Sequence, residues 1–366
     1  MTLALPPHLE PVRFAYWVSN LSGGQVVSRI EQRTGWDFDY NVKLARLAEQ
    51  AGYEFALTAT RFVGGYRADG QHESTTFATA LLGATTKLNV IVAILTGLWH
   101  PAVVAKLGAT ADLISGGRWH INIVSGWFRR EFEALGLPWP DHDARYRRSE
   151  EFIRVLRGIW TEDEFSFDGE HFRIDRYHLN PRPSFQPHPL IFQGGSSTAA
   201  REMAGRVSDW YFTNGGALDE LAAQAAQVKA LAAANGRTLR VGANAFVIAR
   251  DTEAEARELH AEIVRQADAD AVAGFHAATR EAGAATRDGV GNWAKSGAAD
   301  LVQPNDGFRT NLIGTPEQVA ERIVALKRAG IDLILTGFLH FQDDIEYFGR
   351  KVVPIVRELE REQGPR

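Results

Sequence analysis

Cysteine is absent from the 366 residues, which removes disulfides, thiolate nucleophiles and Cys-ligated metals from consideration. Long apolar runs are absent as well. The longest, residues 88–95, falls far short of the roughly 20 residues a membrane-spanning helix needs. No charge of one sign dominates: the net charge is -5, with both signs interspersed. That balance gives no electrostatic ground for nucleic acid or an anionic membrane as partner. The pairs Arg129-Arg130 and Arg147-Arg148 have acids close by and read as solvated helix faces. Residues 1–10 carry prolines but no basic segment followed by an apolar run, so a signal peptide is not expected and the cytoplasm is the default location. The eleven histidines include no HxH or HExxH spacing, and no metal site is expected.

What is present is an ordinary globular composition, 45% apolar and 23% charged, in a chain long enough for a large core. One unit recurs along it. A helical pattern ends near glycine, a short apolar strand follows, and the strand stops at a small polar residue or glycine. Four copies meet at Gly52, Gly117, Gly205 and Gly330. Glycine suits a helix C-terminus because it enters the left-handed region without steric cost. Leu44, Leu47, Ala48 and Ala51 mark one amphipathic helix, and Thr315-Pro316-Glu317-Gln318 has the order of a capped helix start. Strands are predicted at residues 13–18, 54–58, 89–95, 119–124, 189–193, 209–212, 241–249 and 331–335. Their near-continuous apolar character fits parallel strands covered on both sides. Eight such units predict an α/β fold, a (β/α)8 TIM barrel with loop insertions, ahead of a doubly wound sheet. The whole chain, 1–366, reads as one domain with insertions near 128–188 and 268–311. The second insertion is Ala- and Gly-rich with few apolar anchors and is read as a mobile lid.

In a TIM barrel the site lies at the C-terminal strand ends. Here those ends are rich in Thr, Ser, Asn, Gln and aromatics and poor in carboxylates, which argues against metal-assisted or glycosidase chemistry. The run Phe192-Gln193-Gly194-Gly195-Ser196-Ser197 leads from a strand into a helix, with two glycines and two hydroxyls at the turn. Such a turn offers unpaired N–H groups to a phosphate; a plain serine N-cap is the bland alternative. A second run, Asn122-Ile123-Val124-Ser125-Gly126-Trp127, is followed by His142 and Tyr146 on one helix face, which capping or packing explains equally well.

These runs, with Arg147-Arg148-Ser149-Glu150-Glu151-Phe152, resemble the bacterial-luciferase-like flavin monooxygenases, with spacing similar to the alkanesulfonate monooxygenase branch. Phe14 to Asn20, Ile30 to Thr34, Asn305 to Asn311 and Thr336 to Phe341 are similar to the dimethylsulfone monooxygenases of that family. The resemblance implies reduced FMN (FMNH2), delivered by a separate NAD(P)H-dependent FMN reductase, and O2 as co-substrate. It also implies phosphate contacts at Tyr146, Ser196 and Ser197 with His142 nearby, and ring or ribityl contacts at Thr96, Asn122 and Ser125. A homodimer or homotetramer is the implied assembly.

Departures from the sulfonate branch bear on the substrate. Where that branch carries an Arg and a His facing substrate, this chain has Asn244 and Phe246, and its Tyr after the last strand is here Phe338. Losing a guanidinium and an imidazole removes groups that would hold a sulfonate. A small neutral sulfone is therefore expected, with Asn244 and Arg309 near it and Trp17, Phe246 and Phe338 around it; core filler is the plainer role for both phenylalanines. His340, just past the last strand, is the imidazole best placed to donate a proton. Alkanesulfonate or other small-sulfur-compound oxygenation, deazaflavin-dependent dehydrogenation and flavin binding without catalysis stand as rivals.

Overall fold

A computed structural model describes residues 10–286, 291, 293 and 295–362; the residues read for a signal peptide lie almost wholly outside these, as do parts of the expected lid and the last four residues. Strands β1 Arg13–Trp17, β2 Phe55–Leu57, β3 Asn89–Leu95 and β4 Trp119–Val124 alternate with helices α1 Phe38–Gln50, α2 Ser74–Gly83 and α3 Pro101–Ser115. After β4 come α4 Arg129–Ala134, α5 His142–Thr161 and an outlying antiparallel hairpin, β5 Phe165–Asp168 with β6 Arg173–Tyr177. The alternation resumes with β7 Ile191–Gly194, α6 Thr198–Val207, β8 Trp210–Thr213, α7 Leu218–Ala234 and β9 Arg240–Phe246. β10 Ile248–Ala249, α8 Glu253–Arg265, α9 Ala269–Ala284, β11 Ile313–Gly314 and α10 Pro316–Arg328 follow, then β12 Leu333–Gly337, α11 Phe341–Lys351 and α12 Val353–Glu362. The closed sheet runs β1-β12-β9-β8-β7-β4-β3-β2, every pair parallel. The eight expected strands are its eight members. The predicted strand at 241–249 is in fact two: β10 leaves the barrel and pairs with β11.

Side chains alternate across each strand, so every second residue faces the barrel interior. Ala15, Phe55, Leu57, Ile91, Phe192, Trp210, Phe212, Leu333 and Leu335 fill the inside. Phe192 stacks on Trp210 and on Phe212, each at 5.4 Å, and meets Phe55 edge-on at 5.9 Å. This aromatic plug closes the lower barrel and leaves the upper end open. The intervening residues, among them Val90, Val92, Ile94, Ile121, Ile123 and Ile334, pack outward against the helices.

A third cluster lies over the strand ends. Val26, Val27, Phe246, Phe275, Leu301, Val302 and Phe308 are buried together, with Trp127 and Trp293 against them. The Trp293 indole N–H donates to the Pro304 carbonyl at 2.6 Å. The expectation of a poorly anchored lid at 268–311 is thus corrected for the described part. A few large aromatics, widely spaced in sequence, hold it to the barrel where no periodic pattern signals them.

Candidate active site

The aromatic plug is the floor of a cavity of about 320 Å³, open to solvent, with Leu57, Ala93, Phe212 and Leu335 at its base. Ligand pockets for small molecules commonly run ~300–1,000 Å³, and this one falls at the lower end of that range. The walls come from the strand ends: Trp17 from β1, residues 58–61 after β2, Asn122 to Trp127 at and after the end of β4, Gly194 and Gly195 at the end of β7, Thr213 and Asn214 at the end of β8, and Asn244 from β9. The β1 loop, residues 21–27, forms one rim. Gln32 holds that loop in shape: its amide oxygen accepts from the Gln25 and Val26 N–H groups, and its NH2 donates to the Gly23 and Val26 carbonyls.

One side of the mouth fits a phosphate. Gly195 has φ +128°, and a β-carbon there would stand 2.7 Å from the Tyr146 hydroxyl, so the turn needs glycine. Ser197 is the N-cap of α6, its hydroxyl accepting from the Ala200 N–H at 3.3 Å. The Tyr146 phenol faces the Ser197 hydroxyl, and burial raises its pKa. A narrow annexe that shares Gly126, Trp127 and Tyr146 with the cavity is also lined by His142, Arg145 and Ser197. His142 lies 4.8 Å from the Tyr146 ring, and its Nδ1 is 2.9 Å from Asp143 Oδ1. Arg145, unassigned from sequence, is buried, with its guanidinium 3.9 Å over Trp139. Among the described residues it donates to the neutral carbonyls of Gly126 and Pro140, and a buried guanidinium in that setting favours a dianion close by. Ser196 sits in the same turn, its carbonyl accepting from Arg201.

The β4 wall fits the middle of a flavin. Asn122 Oδ1 and Ser125 Oγ are buried without hydrogen-bond partners among the described residues. Buried polar atoms are nearly always paired, so two orphans facing one cavity suit the hydroxyls and polar edge of a bound ligand. Across the mouth, Asn244 Oδ1 accepts from the Trp17 indole N–H at 2.7 Å, and its Nδ2 donates to the Asn305 carbonyl at 3.0 Å. Asn244 is therefore fixed in place with one amide N–H left over.

Other candidates stand elsewhere. Thr96 has the outward parity of β3, and its hydroxyl meets Ser149 Oγ of α5 at 2.9 Å. Phe338 likewise faces out, packing on Phe341 at 5.7 Å and Phe348 at 5.9 Å. Phe246 has inward parity but lies beyond the mouth, sealed by Phe308 at 5.1 Å. Arg309 pairs with Glu220 Oε2 at 2.7 Å instead of facing the cavity. His340 caps the approach to α11: its Nδ1 accepts from the Arg33 N–H at 3.1 Å, and its pKa is lowered by burial and by Arg33. None of the five lines the cavity. Missed from sequence were Arg145, Gln32 and Arg61, the last directly behind the end of β2. Among the described residues no group of three or more His, Asp or Glu is placed to hold a metal, and no helix is long and apolar enough to cross a membrane.

Known proteins resemble this chain along most of its length. A relative from Pseudomonas putida, an FMNH2-dependent dimethylsulfone monooxygenase, is 62% identical over 354 residues, covering 97% of this chain and 98% of its own. Another of that name, from Pseudomonas fluorescens (strain Pf0-1), is 61% identical over 96% of each chain. A riboflavin lyase solved with modified FMN and riboflavin has the same fold, with TM-score 0.83 at 22% identity over 96% of this chain and 92% of that one. The model of the luciferase-like monooxygenases matches residues 12–333. With that match spanning most of the barrel, the chain belongs to the luciferase-like monooxygenase family.

Proposed function

We propose that this chain is a two-component, FMNH2-dependent monooxygenase that converts dimethyl sulfone and O2 to methanesulfinate and formaldehyde. The observation that carries the reading is the adjacency of two pockets. The narrow one at Arg145 and Ser197 shares Gly126, Trp127 and Tyr146 with the chamber lined by Trp17, Asn244 and the orphaned Asn122 and Ser125. The names of the two Pseudomonas relatives support the choice of cofactor and substrate. Reduced FMN, supplied by a separate NAD(P)H-dependent reductase, brings two electrons and activates O2. One oxygen atom enters a C–H bond of the sulfone, and the other leaves as water with the two hydrogens of FMNH2. The hydroxymethyl sulfone then breaks at its C–S bond to give formaldehyde and methanesulfinate.

The protein's own part is to bind, orient and exclude water. Ser197, Tyr146 and Arg145 hold the phosphate, with His142 alongside. Asn122 and Ser125 position the polar part of the flavin. Asn244, braced by Trp17 and Asn305, offers its remaining N–H to a sulfone oxygen. With pre-reduced FMN and O2, dimethyl sulfone should release formaldehyde several-fold faster than methanesulfonate, and reduced deazaflavin should not replace FMN. Faster formaldehyde release from methanesulfonate contradicts the substrate, and activity with the deazaflavin contradicts the cofactor.

A cytoplasmic homodimer or homotetramer accompanies this reading. The outer face of α3 exposes Val103, Leu107, Leu113 and Ile114, an apolar stripe suited to a second copy. Light scattering should give a multiple of 40.4 kDa that Leu107→Glu reduces; a monomer at micromolar concentration refutes the assembly.

A further inference from the structure

The cation of the cavity mouth is not the expected Arg309, which pairs with Glu220. Among the described residues that line the mouth, Arg61 is the only charged one. It follows β2 at the strand end, where barrel sites are built. Its guanidinium lies 4.8 Å from the Trp127 ring and 5.2 Å from the Phe128 ring, two rings stacked 5.4 Å apart that together hold one side of the group. No hydrogen bond or ion pair joins Arg61 to another described residue, so among these its five N–H donors are unspent. Glu131 is the carboxylate closest in effect. It is buried behind the loop, accepts from the Phe62 N–H at 2.9 Å, and has its pKa raised by burial and lowered by Arg61. It offsets the charge without occupying the fork.

A guanidinium edge presents two parallel donors at the spacing of two oxygens on one centre. A sulfonyl group supplies that pair. Asn244 supplies a single N–H from the opposite wall and cannot make a bidentate contact. We propose that Arg61 is the substrate-binding cation of the mouth, holding the O–S–O unit of the sulfone and, with higher affinity, the sulfinate anion produced from it. The assignment rests on the sulfone reading above and deepens it. It also makes the product a competitive inhibitor, because the anion adds an ion pair to the hydrogen bonds that the neutral sulfone makes.

The probes are dimethyl sulfone, methanesulfinate and FMNH2, with wild type, Arg61→Leu and Arg61→Lys. Wild type should bind methanesulfinate in calorimetry and be inhibited by it competitively against the sulfone. Arg61→Leu should raise KM for the sulfone and weaken methanesulfinate by about 10-fold or more each, with FMNH2 affinity within about twofold of wild type. Arg61→Lys should recover part of the sulfinate affinity but little of the sulfone KM, since a point charge serves an anion better than a neutral fork ligand. Unchanged KM and sulfinate affinity in Arg61→Leu overturn the assignment. So does a loss confined to FMNH2 binding, which would make Arg61 a flavin contact. If wild type does not oxidise the sulfone, the substrate reading fails, while sulfinate binding that vanishes in Arg61→Leu still supports an O–S–O site. Sulfinate binding that survives in that variant removes it.

Discussion

Ser197→Asp should weaken FMN by about 1–3 kcal/mol, roughly 5- to 150-fold in Kd, and leave riboflavin nearly unaffected. Aspartate is as good an N-cap as serine, so α6 keeps its start and the Ala200 N–H keeps an acceptor. What changes is the charge in the annexe. A carboxylate there takes the positive end of the helix and the Arg145 guanidinium for itself and repels the phosphate. Riboflavin lacks the phosphate and serves as the internal control. The check is titration of both ligands, in oxidised and reduced forms, against both proteins. Equal losses for FMN and riboflavin would mean that the turn at 194–197 does not hold the phosphate.

Acid should unfold the protein partly through one histidine deep in the barrel. His120 lies inside beside Phe55, Phe185 and Phe192, and its Nδ1 accepts from the Leu190 N–H at 3.2 Å. Burial lowers its pKa from 6.5 to about 3. The folded state therefore refuses a proton that the unfolded chain accepts below pH 6.5. This contribution is fully present above pH 6.5 and is lost as pH falls toward 3, amounting to about 4–5 kcal/mol across that window. His120→Gln keeps an acceptor for Leu190 but cannot titrate. It lowers stability at pH 7 through altered packing, yet stability should fall less steeply between pH 6.5 and 4, by up to about 1.4 kcal/mol per pH unit. Urea unfolding at a series of pH values reads the slope directly. Parallel slopes for the two proteins would show that another group governs acid sensitivity.

The sequence disclosed the barrel because parallel strands covered on both faces leave near-continuous apolar runs, as in residues 89–95, and because glycines punctuate the helix ends. The glycine turn before α6 was legible for the same reason: a strand, two glycines and a hydroxyl cap are local features. Thr96 and Phe338 were misread because their places beside strand ends outweighed their parity; counting alternation from the buried interior turns both toward the helices. Phe246 had the right parity but the wrong depth, which the turn at Gly307–Thr310 decides from about sixty residues away. Arg61 was overlooked because β2 has only three residues and gives little signal for where its end falls. Long-range partners such as Glu220 for Arg309 and Arg33 for His340 leave no trace in local pattern.

The most direct measurement is a single turnover: protein loaded anaerobically with one equivalent of FMNH2 and excess dimethyl sulfone, then mixed with O2. Formaldehyde and methanesulfinate should appear in equal amounts, approaching one of each per flavin oxidised, and neither should form when the sulfone is left out. Complete flavin oxidation with hydrogen peroxide as the only product, and no formaldehyde from dimethyl sulfone, would contradict the assignment of this barrel to sulfone oxygenation.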